Sequence, residues 1–476
     1  MKNKIIKLTY IFLSLLLITP SIIHLVNTKT IMGENIYFNF FLNNEFNKNI
    51  STIIFIILYI CITFVYFAIY KIKPFNNIKE ILEFVTIIGI IFIIMLPWTS
   101  SDIFYYMGVG ELDAIYYQNP YYINTREFYQ NNIENIEDEL LQKGAENYWG
   151  NTTVVYGPIA QTFFKIASGM AMKKAILALF IFKLINLIIH ISNTFIIFNI
   201  CKKKSFAILY GLNPFILIEA LGNVHNDILV IFFVLISLYF LLKKRKLIIS
   251  IIFLALATCI KYFTVLLLPV FILYHFRNEK NLLIRFIKCI QYGIVFLLSV
   301  LIMYIPYLED FNPLLSMIVQ TERYSGSIYS AIMLDFNNNI MNIVRTVFIT
   351  AFLFYYIIFC IDLLTEKNIK FYRAIRKYSF ALCLFLLILT NFHPWYLMWL
   401  FPTFIWMKAN TIKNIIGISI CTEIANSVYM ILFESYKFDN IFIRTEFLLF
   451  IIWVIITNKN IKILKRIEKK IIKKEV

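Results

Sequence analysis

Residues 97–122 read PWTSSDIFYYMGVGELDAIYYQNPYY, and residues 146–158 read ENYWGNTTVVYGP. Between Pro97 and Pro158 the chain is polar, acidic and aromatic; on either side it is almost continuously apolar. An insert of this kind, set between long apolar runs, marks a chain that leaves a membrane, builds a structured loop and returns. Tyr and Trp suit that depth, where one edge of the ring is apolar and the other wet. Positions 102, 105, 106, 109, 113 and 116 recur at helical spacing. They predict a helix lying along the membrane surface from Asp102, stopped by Asn119-Pro120.

The composition agrees. Of 476 residues, 60% are apolar and 15% charged, against about 45–50% and about 25% in an average soluble domain. A soluble fold of this size could not hide that much Ile, Leu and Phe. The net charge of +17 does not point to nucleic acid. Lys and Arg sit in short clusters between apolar runs, such as Lys202–Lys204 and Lys243–Lys246, as the positive-inside rule requires of cytoplasmic loops. The tail from Lys459 to Lys474 is basic with Ile and Leu interleaved, which suits a helix lying on an anionic inner leaflet. The seven cysteines show no CxxC and no metal-ligand spacing, so neither a structural disulfide nor a sulfur-held metal is expected.

Taken in order, the apolar runs and basic turns predict an all-α, polytopic transmembrane bundle of about fourteen membrane segments. Both termini are placed in the cytoplasm, in a plasma-membrane protein. Residues 1–457 form the integral membrane domain, with 99–158 as the outer loop, and 458–476 form a basic cytoplasmic tail. The third span is expected from Glu80 to Trp98. Single helices are expected to rise to His225-Asn226-Asp227 and to Pro306. Short pairs turn at Lys261 and at Asn391–Trp395, Tyr307–Asn339 forms an outer loop, and two helices, 412–432 and 441–457, close the bundle.

On this topology four polar clusters reach one membrane face: Asp102, His225-Asn226-Asp227, Lys261 and His393-Pro394-Trp395. Ionisable groups at membrane depth are costly, which makes each a functional candidate. Each also has a plainer reading. Asp102 suits a helix N-cap, His225-Asn226-Asp227 a polar turn, Lys261 a snorkelling side chain, and His393 a helix break. Their convergence outweighs the four plain readings. A carboxylate beside basic and imidazole groups is what sugar transfer from a phosphate-linked donor requires. The acceptor hydroxyl must lose a proton to a base, and the departing phosphate must meet cations or N–H donors. A lipid-linked donor would hold its phosphate at the water–bilayer boundary, where these clusters lie.

Four segments carry a resemblance: SDIFYYMGVG followed by NPYY; WGNTTVVYGP; LNPFILIEALGNVHND; and ATCIKYFTVLLLP with NFHPWYLMWLFP. They spread from about Ser101 to Pro402 in an order that resembles the GT-C superfamily. Within it the chain is similar to the polyprenyl-phosphate-mannose-dependent mannosyltransferases of bacterial envelopes, the α-1,6-mannosyltransferase-like branch. The resemblance implies a polyprenyl-phosphate sugar as donor, a lipid or glycan acceptor, inversion, and an acidic outer-loop residue as base, here Asp102. Members often carry a second acid nearby, for which Glu111 and Asp113 are the candidates. His225, Asn226, Asp227, Lys261, His393 and Trp395 fall on the family's polar positions, with Arg323 as a further candidate for the donor phosphate. Tyr105, Tyr106 and Tyr156 are the aromatics of the surface helix and loop. No cofactor is expected, and a divalent cation is not indicated. The competing readings are a multi-pass transporter or flippase, suggested by the broken helix pairs, and a non-catalytic scaffold for envelope assembly.

Overall fold

The computed structural model describes residues 2–28, 45–133, 137–309, 327, 338–433, 443–446, 448–449 and 451–452. Arg323, most of the expected 307–339 loop and the basic tail lie outside the described residues. Among the described residues no β-strand forms, as expected of a chain whose backbone must satisfy itself inside lipid.

Five described helices are long and apolar enough to cross a membrane: α1 (Lys2–Thr28), α2 (Glu45–Ile72), α8 (Ala175–Cys201), α14 (Leu282–Tyr304) and α15 (Asn338–Thr365). They mark a membrane protein. A sixth span is available if α9 (Lys204–Gly211) and α10 (Pro214–Gly222), bent by 44° at their junction, count as one. By that measure the described residues hold fewer crossing helices than the apolar runs imply. The reason is that folding breaks several runs. α3 (Ile78–Ile94) stops short of the expected Trp98, because Pro97 biases the residue before it away from helix. The run expected to rise unbroken to His225 is cut at Asn213-Pro214, where proline has no N–H to continue the ladder. The pair around Lys261 consists of α12 (Leu247–Thr258), a 3-10 turn Tyr262–Leu267, and α13 (Leu268–His275). Leu247–Thr258 and Tyr262–His275 are each too short to cross alone. The pair around His393 consists of α16 (Phe371–Ile388) and a 3-10 segment, Pro394–Trp406. α17 (Ala409–Phe433) follows. α14 and α15 present rows of exposed Leu, Ile and Phe, among them Leu283, Ile302, Ile343 and Phe354, as a lipid-facing surface requires.

The insert adds what the sequence expectation lacked. α4 (Asp102–Ala114) begins at Asp102 and ends short of Asn119-Pro120, and every residue from Ile103 to Asp113 is buried. It is clasped by α6 (Glu139–Glu146) and α7 (Pro158–Gly169), both within the insert, with the short α5 (Thr125–Asn131) beside them. Glycine makes this approach feasible. A Cβ on Gly108 would lie 2.6 Å from the Gly144 Cα, so the two backbones touch where neither residue has a side chain. The insert is also fastened to the membrane part. A Cβ on Gly157 would lie 2.3 Å from the Cys259 carbonyl oxygen. The Ile159 N–H donates to that carbonyl at 3.0 Å, which locks the end of the insert beside Lys261.

A buried lysine joins the pieces. Lys183 of α8 has no exposed surface. It donates to the carbonyls of Met95 (2.6 Å), Leu221 (2.7 Å) and Gly222 (2.6 Å). These are terminal carbonyls of α3 and α10, which lack partners in their own helices and carry the negative end of the dipole. Hydrogen bonds to a charged donor contribute about 1.5–3 kcal/mol each, so one side chain holds the exits of two helices together. Those exits lead to Asp102 and to His225.

Candidate functional site

A cavity of about 340 Å³ lies at the junction of the insert with the two broken pairs. Asp102, Tyr105, Tyr156, Lys261 and His393 all line it, as do Trp149, Tyr396 and Trp399. Of the four polar clusters read from the sequence, Asp102, Lys261 and His393 line this cavity, whereas His225, Asn226, Asp227 and Trp395 do not.

Asp102 opens α4, and its N–H is taken by the Ser100 hydroxyl at 3.2 Å. Its Oδ2 lies 3.7 Å from His225 Nδ1 and accepts from the Tyr106 hydroxyl at 3.5 Å. That hydroxyl lies 3.3 Å from the Tyr156 hydroxyl, while the Tyr106 ring stacks on Phe164. Burial holds the Asp102 carboxyl above the usual carboxylate range. His225 and Lys261 pull it back down, and Asp227 pushes it further up. A base whose pKa is moved toward neutrality is better matched to proton abstraction near neutral pH.

Lys261 caps the 3-10 turn and donates to Asp227 Oδ1 at 2.7 Å. Asp227, at the start of α11 (Asp227–Tyr239), is fully buried and also accepts from Trp399 Nε1. The ammonium lies over the rings of Tyr396 (4.7 Å), Trp399 (5.4 Å) and Tyr156 (5.7 Å). Trp399 is stacked between Phe263 at 4.0 Å and Tyr396 at 4.5 Å. Lys261 is thus a paired cation held in an aromatic cage, not a snorkelling side chain. His393 and His225 both stack on Trp395, at 4.4 Å and 3.7 Å. Burial, followed by the neighbouring His225 and Lys261, pushes His393 down to about 3. Its ring is therefore neutral at pH 7 and offers hydrogen bonding, not charge.

Not all candidates reach the cavity. Asn226 is buried and faces a separate small void beside Tyr106 and Phe164. Asp113 lies on another face of α4, where it takes Lys165 at 2.7 Å, Gln161 Nε2 at 3.1 Å and the Tyr307 hydroxyl at 2.9 Å. That arrangement ties α4 to α7 and to the end of α14. Glu111 is buried under α4 beside Asp138, which caps α6. Neither Glu111 nor Asp113 lines the cavity.

Glu111 instead has a predicted effect on stability. Burial, with Asp138 second, pushes its carboxyl up to about 8, whereas an unfolded glutamate titrates near about 4.3. The folded chain therefore keeps a proton that the unfolded chain has released. Stability should fall as pH rises between those two values and level off above the upper one. Glu111→Gln should flatten that slope in detergent melts from about pH 5 to about pH 8; a slope equal to the parent's would show that another group is responsible.

Two site residues have no counterpart in the sequence expectation. Glu219 is fully buried behind His225, with its Oε2 3.1 Å from His225 Nε2. Asn223 Nδ2 donates to that same oxygen at 3.1 Å and also to Thr99 Oγ1. The signal was present: a carboxylate inside FILIEALG is as costly in lipid as a lysine inside TCIKYF. Among the described residues no three His, Cys, Asp or Glu side chains are grouped to hold a metal ion.

Comparison with known proteins adds one match. The MptA_B family model, described as alpha-(1->6)-mannopyranosyltransferase, N-terminal domain, matches residues 15–277. That stretch holds Asp102, Glu219, His225, Asp227 and Lys261. The search of curated proteins and the search of solved structures returned no match.

Proposed function

This chain belongs to the MptA_B family of alpha-(1->6)-mannopyranosyltransferases, and from that premise we propose that it transfers mannose from a polyprenyl-phosphate donor to a lipid or envelope-glycan acceptor. The transfer inverts the anomeric centre, with Asp102 as general base. Membership sets the transporter and scaffold readings aside. The observation that carries the proposal is the placing of Asp102 in the wall of a cavity that Lys261 and His393 also line.

In the proposed reaction the acceptor hydroxyl is seated against Asp102. Its oxygen attacks the anomeric carbon while Asp102 Oδ2 takes its proton. The bond from the anomeric carbon to the phosphate oxygen breaks, and its electron pair leaves with the phosphate. Lys261 meets the charge that develops there, and His393 offers it hydrogen bonding. Tyr156, Tyr396 and Trp149 supply flat apolar faces for a sugar ring. The proposal assigns no resident metal, so transfer should survive EDTA.

Purified protein given polyprenyl-phosphate mannose or nucleotide-linked mannose separates the donor classes. Turnover of the lipid donor alone is expected. Turnover of the nucleotide donor alone would refute the donor assignment and leave the family activity in place.

The proposal places the cavity on the extracytoplasmic face and both termini inside, with more membrane segments than the long helices alone supply. The basis is the Lys and Arg distribution. Single cysteines at position 148, where Tyr148 is 75% exposed, and at position 203 should be labelled from opposite sides of sealed vesicles. Labelling from the same side would contradict the arrangement.

A further inference from the structure

We propose that Glu219 is a positioning residue of the transfer reaction, holding His225 so that its ring takes up the proton that Asp102 removes from the acceptor. The proposal rests on the reading of Asp102 as base and goes beyond it. His225 has a carboxylate at each nitrogen: Asp102 Oδ2 3.7 Å from Nδ1, and Glu219 Oε2 3.1 Å from Nε2. Neither His225 nor Glu219 has exposed surface, and Asp102 alone of the three reaches the cavity. Neither ring nitrogen of His225 closes a hydrogen bond in this structure, so a small turn of the ring is needed to bring a proton on Nε2 onto Glu219 and the Nδ1 lone pair onto Asp102.

The backbone is built to hold this line. Leu217–Gly222 winds as a π-turn, a rare insertion found frequently at functional sites. The His225 N–H donates to the Glu219 carbonyl at 3.0 Å, so the two residues are joined through main chain as well as side chain. Val224, immediately before the histidine, has φ 65°. A β-branched residue there is strained, and such strain persists where surrounding structure demands it. Trp395 lies flat on the imidazole at 3.7 Å. Asn223 fixes the Glu219 carboxylate and, through Oδ1, accepts from the Trp98 N–H at 3.3 Å. One asparagine therefore ties Glu219 to the segment that delivers Asp102.

The proton balance is complete. The acceptor O–H bond breaks, Asp102 Oδ2 gains the proton, and His225 Nδ1 receives it from Asp102. The resulting imidazolium lies between two carboxylates. Asp102 is returned as a carboxylate, and the proton leaves by the same route to the phosphate product or to water once the sugar has moved. The charged and titratable groups facing the pair from its neighbours are Asp102, Asp227, Lys261, His393, Glu423 and Tyr59.

The test is Glu219→Gln in the full-length protein, assayed with polyprenyl-phosphate mannose across pH. Loss of a carboxylate that orients a catalytic imidazole should lower kcat by about 10²–10⁴-fold with KM for the donor held. The acidic limb of the kcat profile should move to lower pH, because a neutral partner no longer favours the imidazolium. A purely structural role predicts loss of folded protein with the limb unmoved. A folded variant with parental kcat, or with an unmoved limb, overturns the assignment. Should the glutamine variant not fold, Glu219→Asp serves. Drawing the carboxylate back by one methylene should cost kcat about tenfold or more with KM held, and parental kcat there also overturns it. Failure of the underlying reading looks different: parent protein that consumes no lipid donor, or Asp102→Asn that keeps full transfer, sinks both.

Discussion

Asp102→Asn should fold, insert and bind the lipid donor, yet transfer mannose roughly 10²–10⁴-fold more slowly than the parent. That range corresponds to about 3–5 kcal/mol of lost transition-state stabilisation. Asparagine keeps the size of the side chain and can still accept from the Tyr106 hydroxyl, which reaches Asp102 at 3.5 Å. It cannot take the acceptor's proton. Burial disfavours the charged carboxylate more than His225 and Lys261 favour it, so a neutral amide of the same size should cost little stability, and a melt near the parental temperature is part of the expectation. Full transfer by this variant, with loss in Glu111→Gln or Asp113→Asn, would move the base to another residue. That outcome would also conflict with the geometry, because neither of those carboxylates lines the cavity.

The second large effect concerns Lys261 and Asp227. Lys261→Met should be strongly destabilising, by about 3–5 kcal/mol, because it strands a buried carboxylate without its cation. Its loss of activity would then mix misfolding with chemistry. The double variant Lys261→Met/Asp227→Asn separates the two. It removes both charges and leaves an oxygen for Trp399 Nε1, which now donates to Asp227. Stability should return to near the parental value, as it often does when a buried pair is replaced as a unit. Transfer should not return, because the cation that meets the departing phosphate is gone. A stable double variant with parental turnover would make the pair structural only.

How far the site could be anticipated depended on the kind of signal each residue leaves. Asp102, Lys261 and His393 interrupt apolar runs or stand at their ends, and the high cost of ionisable groups in lipid makes such interruptions stand out. Glu219 and Lys183 obey the same rule but sit in the middle of stretches that scan as single spans. The fold breaks one of those stretches at Asn213-Pro214 and winds the next turn as a π-turn. Helical periodicity does not report a bend of that kind. The α4 helix was legible as a helix from its spacing, but its burial was not. Burial there depends on Gly108 meeting Gly144 and on α7 closing over the other side, contacts between residues that local pattern does not connect.

The most direct measurement is the anomeric configuration and donor dependence of the product. Purified protein in lipid nanodiscs would be given β-linked polyprenyl-phosphate mannose carrying a ¹³C label at the anomeric carbon, together with an acceptor. The product would be read by NMR beside a parallel reaction with Asp102→Asn. A single displacement assisted by a general base predicts an α-linked mannoside from the parent, one polyprenyl phosphate released per sugar moved, and almost none from the variant. A β-linked product, or a parent protein that leaves the lipid donor intact, would contradict it.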